Sequence, residues 1–159
     1  MSTPRKIKKQ TNTVEEPVAV YASKNYTTVE SLLDVNVTSL TDPLNRINTF
    51  RKGFKKKSLD KLKEAAGLDY QTLATALSVS TKTLQRTEVF DVAQSEKIYE
   101  LADLYAVGIS YFGEQGFRRW MDRPLFTLGN RRPIELLDVS EGIALLRTEI
   151  MRLQHGVAI

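Results

Sequence analysis

Between Ser58 and Gly156 the apolar residues of this chain recur every three or four positions, and residues that start or stop helices separate the runs. A period near 3.6 gathers such residues on one helix face, whereas the two-residue alternation of a strand is weak throughout. Ser58 is placed to cap a first helix with the stripe Leu59, Leu62, Ala65 and Ala66, and Gly67 to stop it. Asp69 is placed to cap a second, carrying Leu73, Ala74 and Leu77. Ser80 is placed to cap a third, from Thr81 to about Glu88, carrying Leu84. A long helix is expected from about Ala93 to Phe112, with Ile98, Leu101, Ala102, Tyr105, Ile109 and Phe112 on its stripe and Gly113 at its end. A short helix around Gly116 to Met121 has to stop before Pro124, because the residue preceding a proline avoids helical backbone. Pro133 suits the first position of another helix, with Ile134, Leu136 and Leu137. Ser140 or Asp138 is placed to cap the last, whose Ile143, Leu146, Ile150 and Leu153 share a face and whose C-cap is Gly156. The expected fold class is all-α.

Upstream the pattern thins. Residues 1–25 hold too few apolar positions to offset the entropy of ordering and are expected to form a disordered arm. Val29, Leu32, Leu33 and Val35 suggest a turn or two of helix packed on the neighbouring helical region. Pro43 opens a helix, Leu44, Ile47 and Phe50 recur along it, and Gly53 closes it. Lys55-Lys56-Lys57 reads as a linker. Three regions are therefore expected: the arm over 1–25, a helical region over 26–90, and a separable helical unit over 91–159.

Charge is divided along the chain in a similar way. Residues 1–57 carry 11 Lys/Arg against 5 Asp/Glu, residues 58–90 carry 4 against 4, and residues 91–159 carry 8 against 10. The basic excess lies in the N-terminal part, where Arg5, Lys6, Lys8 and Lys9 suit non-specific contact with a polyanion. The sequence holds no Cys, so disulfides and thiolate metal sites are excluded, and a reducing cytoplasm fits. No apolar run reaches the ~18 residues of a membrane span, and the basic N-terminus lacks the apolar stretch that a secretion signal requires.

Residues 69–88 have the layout of a helix-turn-helix. Ala74 supplies the small residue where two helices cross, Ser78-Val79 the reversal and its aliphatic, and Leu84 the inward anchor of the second helix. Many such motifs carry Gly at the Ser78 position, and Ser is tolerated there less easily if the residue needs positive φ. A recognition helix offers its N-terminal residues to base edges in the major groove. Gln85 and Arg86 suit bidentate base contacts, and Gln71, Ser80, Thr81, Lys82 and Thr83 suit phosphates or base edges. Two short amphipathic helices also occur in proteins that never touch DNA. The neutral charge of 58–90 calls for dimerisation, with the basic arm, to hold operator DNA.

Catalytic chemistry finds no support in the residues. The single His, His155, sits near a helix end, where it favours the helix dipole, and neither a phosphate-binding glycine loop nor a metal-spaced cluster is present. No enzyme activity, cofactor or metal is expected.

A further block is not generic helix grammar: Tyr111-Phe112-Gly113, then Trp120, Pro124, and Leu128-Gly129-Asn130-Arg131-Arg132-Pro133-Ile134-Glu135-Leu136-Leu137. It resembles the toxin-binding domain of the Xre/MbcA/ParS family of antitoxins. Ser140-Glu141-Gly142, the close on His155-Gly156-Val157, and the Ser78–Arg86 stretch fit the same family. Asn130 stands where family members often have a second Gly; Asn also tolerates left-handed backbone. The resemblance covers roughly residues 50–158. It implies an antitoxin that covers the active site of a RES-domain, NAD-consuming toxin and represses its own operon. On that basis Arg131, Arg132, His155, Gly156 and Val157 are the toxin-binding candidates, although the arginines read equally as solvated turn residues. Phe112, Phe117 and Trp120 are expected in the core. The alternatives are a stand-alone helix-turn-helix regulator without a toxin, and an interaction module that has lost DNA binding.

Overall fold

The computed structural model describes residues 26–156; the basic arm and Val157 lie outside the described residues. Eight α-helices make up most of the described chain: α1 (Val29–Leu33), α2 (Pro43–Lys52), α3 (Lys56–Ala66), α4 (Tyr70–Ala76), α5 (Thr81–Arg86), α6 (Val92–Phe112), α7 (Glu114–Asp122) and α8 (Ser140–Gln154). Short 3-10 turns occur at Val37–Ser39, Phe126–Leu128 and Pro133–Leu136. Among the described residues the β pairings are two isolated bridges, Lys55–Val89 and Leu125–Arg131.

Helix α6 is the axis of the molecule. It packs against α1, α2 and α3 on one side and against α7 and α8 on the other. The sequence stripe describes one of its faces; Leu104, Ala106 and Gly108 are buried on others, so the helix is covered nearly all round. Gly108 is required by packing, because a Cβ there would enter the Phe117 ring. The buried side chains form one continuous cluster from Leu32 to Ile150. Each fully buried Leu or Ile in it contributes about 1.5–3 kcal/mol.

Several expectations about boundaries are corrected. Lys55–Lys57 is no linker: α3 begins at Lys56, and Ser58 is buried in its first turn rather than capping it. The cause is a tertiary tie, in which the Lys56 N–H donates to Glu88 O (2.9 Å) and the Phe90 N–H to Phe54 O (2.9 Å). Buried Ser95 fastens the same junction, accepting from the Phe54 N–H at 3.0 Å and donating to Phe90 O at 3.4 Å. Neither Ser140 nor Asp138 caps α8. Its N-cap is Val139, without a side-chain bond, and the Ser140 hydroxyl donates instead to Glu100 Oε2 of α6 at 2.8 Å. Pro133 opens only a 3-10 turn, and α5 stops at Arg86. The α2 stripe does not face the core: Leu44 and Ile47 are exposed, and only Phe50 packs inward, against Phe54 and Tyr99. Helix α2 is seated on α6 by Phe50 and by Arg46, whose guanidinium lies over the Tyr99 ring at 5.8 Å.

Candidate functional site

Helices α4 and α5 form the expected two-helix unit. The Asp69 carboxylate caps α4 by accepting from the Thr72 N–H at 2.7 Å. That bond holds the Asp69 carboxyl below the usual carboxylate range. At the turn, Ser78 takes left-handed backbone, φ 56°, and the Val79 N–H returns to Ala74 O at 3.0 Å. Ser therefore occupies the conformation for which glycine is favoured. Ala74 and Leu84 are fully buried, so the small residue and the inward anchor lie where the pattern requires. Val79 is half-buried against the core.

The outer side of α5 exposes Lys82, Thr83, Gln85 and Arg86, with Thr81 half-buried. Ser80 is occupied locally: its hydroxyl accepts from the Thr83 N–H at 3.0 Å and donates to the Thr83 hydroxyl at 2.8 Å. Among the described residues, ion pairs engage Lys56, Lys57, Arg118, Arg132, Arg147 and Arg152 but neither Lys82 nor Arg86. Two unpaired cations and an amide on one exposed helix face can meet phosphates and base edges. Gln71, exposed at the start of α4, lies apart from them. It lines a cleft of about 400 Å³ together with Asp69, Asp122, Arg132, Glu135 and Asp138. Four carboxylates against one guanidinium make that cleft a poor neighbour for a phosphate.

Of the two arginines in the Leu128–Leu137 block, Arg132 lines this cleft and Arg131 does not. Arg132 bonds Glu135 at 3.2 Å and approaches Asp122 at 4.0 Å, tying the second 3-10 turn of the block to α7. Arg131 is exposed, and its backbone carbonyl accepts from the Leu125 N–H at 3.1 Å. Gly129 and Asn130 both take left-handed backbone in this reversal. His155 and Gly156 are exposed just beyond α8. The candidates thus fall into three places: Arg132 beside α4, Arg131 on the turn, and the end of α8.

Between that turn and α8 lies a feature that the sequence did not reveal. An open cleft of about 760 Å³ is lined by Phe112, Trp120, Phe126, Leu153 and the exposed Arg119 and Arg123, among others. Phe117 is buried as expected, but Phe112 and Trp120 are only half-buried and belong to this cleft. The rings form a ladder outward from the core. Tyr105 meets Phe117 edge-on at 5.1 Å, and Phe117, Trp120 and Phe112 stack with centroids 5.5–6.0 Å apart. Phe126, on the 3-10 turn, is 88% exposed. The buried carboxylate Glu149, paired with Arg152 at 3.3 Å, also lines the cleft. A signal for it existed in α7: Gly116 stands one turn before Trp120, and two arginines four apart flank the ring.

Known proteins share both segments. Residues 46–103 match the Antitoxin Xre-like helix-turn-helix domain, and residues 108–156 match the Antitoxin Xre/MbcA/ParS C-terminal toxin-binding domain. The matched segments meet inside α6, and the second contains every residue lining the aromatic cleft. A relative from Sphingobium sp. (strain YBL2), named Prs ADP-ribosylating antitoxin, is 27% identical over 128 residues, spanning 72% of this chain and 80% of the relative.

Proposed function

We propose, from the premise that this chain belongs to the Xre/MbcA/ParS family of antitoxins, that it neutralises a RES-domain, NAD-consuming toxin by direct binding. The observation that carries the reading is one chain holding a helix-turn-helix domain and a toxin-binding domain around a shared helix. The name of the Sphingobium relative couples an antitoxin to ADP-ribosylation, a chemistry that spends NAD as ADP-ribosyl donor, and this supports an NAD-consuming partner here.

In this reading the protein also represses its own operon, as a cytoplasmic homodimer. Gln85 and Arg86 read base edges, and Lys82 contacts phosphate with Thr81 and Thr83 beside it. Ser80 holds the start of the reading helix by capping it, while Gln71, in its acidic cleft, is left out of the contact. Two copies and the basic arm supply the phosphate neutralisation that one α4–α5 unit lacks. Arg131, Arg132 and the His155–Val157 end belong to the toxin-facing surface, with Arg132 acting through the turn that it braces.

The test is co-expression with a RES-domain protein encoded beside this chain. The expected outcome is co-purification, restored growth and preserved cellular NAD. A neighbour that leaves NAD untouched, or fails to co-purify, would sink the reading. Band-shift titration of the upstream region tests the DNA arm separately.

A further inference from the structure

We propose that the aromatic cleft between α7, α8 and the Phe126–Leu128 turn receives an inserted segment of the toxin. That segment carries an apolar or aromatic side chain flanked by carboxylates. The inference rests on the toxin-binding reading and gives it a place and a chemistry.

Four observations converge on this surface. First, Phe126 stands 88% exposed beside half-buried Trp120, Phe112 and exposed Leu153, so the apolar surface is continuous rather than scattered. Isolated surface apolar residues need no explanation, whereas a continuous concave patch marks an interaction site. Second, the ring ladder reaches from the cleft to buried Phe117 and Tyr105, so the cleft floor is fixed by the core. A rigid aromatic floor loses little entropy when a partner seats on it. Third, Arg119 and Arg123 lie one turn apart at the end of α7, exposed and outside every ion pair among the described residues. Their place there suits the helix dipole, but like charges at this spacing repel, and a carboxylate on the partner relieves that repulsion. Fourth, all the lining residues fall within the segment matched to a toxin-binding domain.

The arginines also decide between occupants. A second copy docked symmetrically through this cleft would gather the four arginines of the two clefts, Arg119 and Arg123 from each, into one interface. An acidic partner segment meets no such repulsion. Glu149, held by Arg152 at the cleft wall, leaves a carboxylate oxygen to accept a backbone N–H from the inserted segment.

The chain contains a single Trp, and it lies in the cleft, which gives a direct test. With 5-fluorotryptophan incorporated, Trp120 yields one fluorine resonance, and the RES-domain toxin of the co-expression experiment is the probe. The expected result is a shifted or broadened resonance on complex formation. Phe126→Ala should weaken neutralisation about tenfold or more, as for an interface anchor. The pair Arg119→Glu with Arg123→Glu should weaken it more than the matching glutamine pair. Phe126→Ala and the glutamine pair should melt nearly as the wild type does, since these side chains are exposed. The glutamate pair should melt only slightly lower, because it opposes the dipole at the end of α7. A complex that forms by size exclusion with the resonance unmoved and the variants fully neutralising overturns the proposal while leaving the antitoxin reading intact. Failure of the unaltered protein to bind or neutralise any such toxin overturns both.

Discussion

The helix-turn-helix half and the C-terminal half are both helical but are held in different ways. Helices α4, α5 and α6 each begin with a side-chain cap, from Asp69, Ser80 and Asp91, that bonds the first turn. Helices α7 and α8 begin without one. Their fixings are tertiary: Ser140 to Glu100, Arg147 to Asp103 of α6 at 2.6 Å, and Arg118 of α7 to the Glu64 and Ala65 carbonyls at 3.3 and 3.2 Å. The helix-turn-helix pair and the start of α6 are specified by neighbours in sequence, whereas α7 and α8, like the start of α3, are specified by neighbours in space. A reader surface needs a well-defined local shape. A partner surface tolerates apolar exposure that a self-sufficient core would have removed.

The sharpest attempt to break this contrast is Phe117→Ala. Phe117 is fully buried and supports the whole ladder, so the substitution should cost about 3–5 kcal/mol. Because α6 belongs to both halves, far-UV circular dichroism and Trp120 fluorescence should lose their signals in one transition. Fluorescence that melts well ahead of helicity would mean that the halves are independent, and a fragment starting near Asp91 would then fold alone.

Next in size is the reading face. Gln85→Ala or Arg86→Ala should weaken operator binding by about 1–3 kcal/mol if the residue reads a base, with the thermal melt unchanged. Sequence-specific band shifts undiminished in the double substitution would remove α5 as the reader.

Arg118→Ala tests the fastening between halves. Its guanidinium meets the C-terminal carbonyls of α3 from α7, so a loss of about 1–2 kcal/mol is expected after allowing for partial exposure. Amide exchange should quicken around Gly67, in α3 as well as α7. Faster exchange confined to α7 would show that Arg118 is not the fastener.

The smallest effect is local. Asp69→Ala should cost about 1 kcal/mol, against a few tenths for Ser140→Ala, which caps nothing. The Thr72 N–H lowers the folded pKa of Asp69. Its ionic contribution is therefore complete above the unfolded value of about 3.9 and is lost as pH falls through the lower folded value. Asn caps without titrating, so the stability difference between wild type and Asp69→Asn should lose its ionic part in that acid window. A difference that stays constant as the pH falls from neutral to well below the unfolded value would deny the cap its charge.

The same contrast explains what was legible in sequence. Asp69, Ser80, Gly53, Gly67 and Gly113 sit where helix grammar places them, because a cap is a contact between residues close in the chain. Ser58 and Ser140 have the right chemistry but are drawn into tertiary packing and a distant partner, so the same grammar misplaces them. Phe117 and Trp120 lie three apart on one helix face, and no periodicity separates core from cleft there. What separates them is where α8 and the Leu125–Arg131 reversal end, which depends on left-handed Gly129 and Asn130. Leu44 and Ile47 failed for the converse reason: spacing defines a face but not whether anything covers it.

One consequence of the shared helix concerns phase. Each residue of an α-helix advances its neighbours by about 100° around the axis. Insertion or deletion of one residue in α6 between Asp103 and Gly108, where the matched segments meet, would swing the α5 face relative to the aromatic cleft by that angle. It would also tear Leu104, Tyr105 and Ala106 from their partners. The bearing of one surface on the other is thus locked at the pitch of a single helix. Lineages of this architecture are free to retune what each surface grips, by substitution, far more readily than the angle at which two grips are presented.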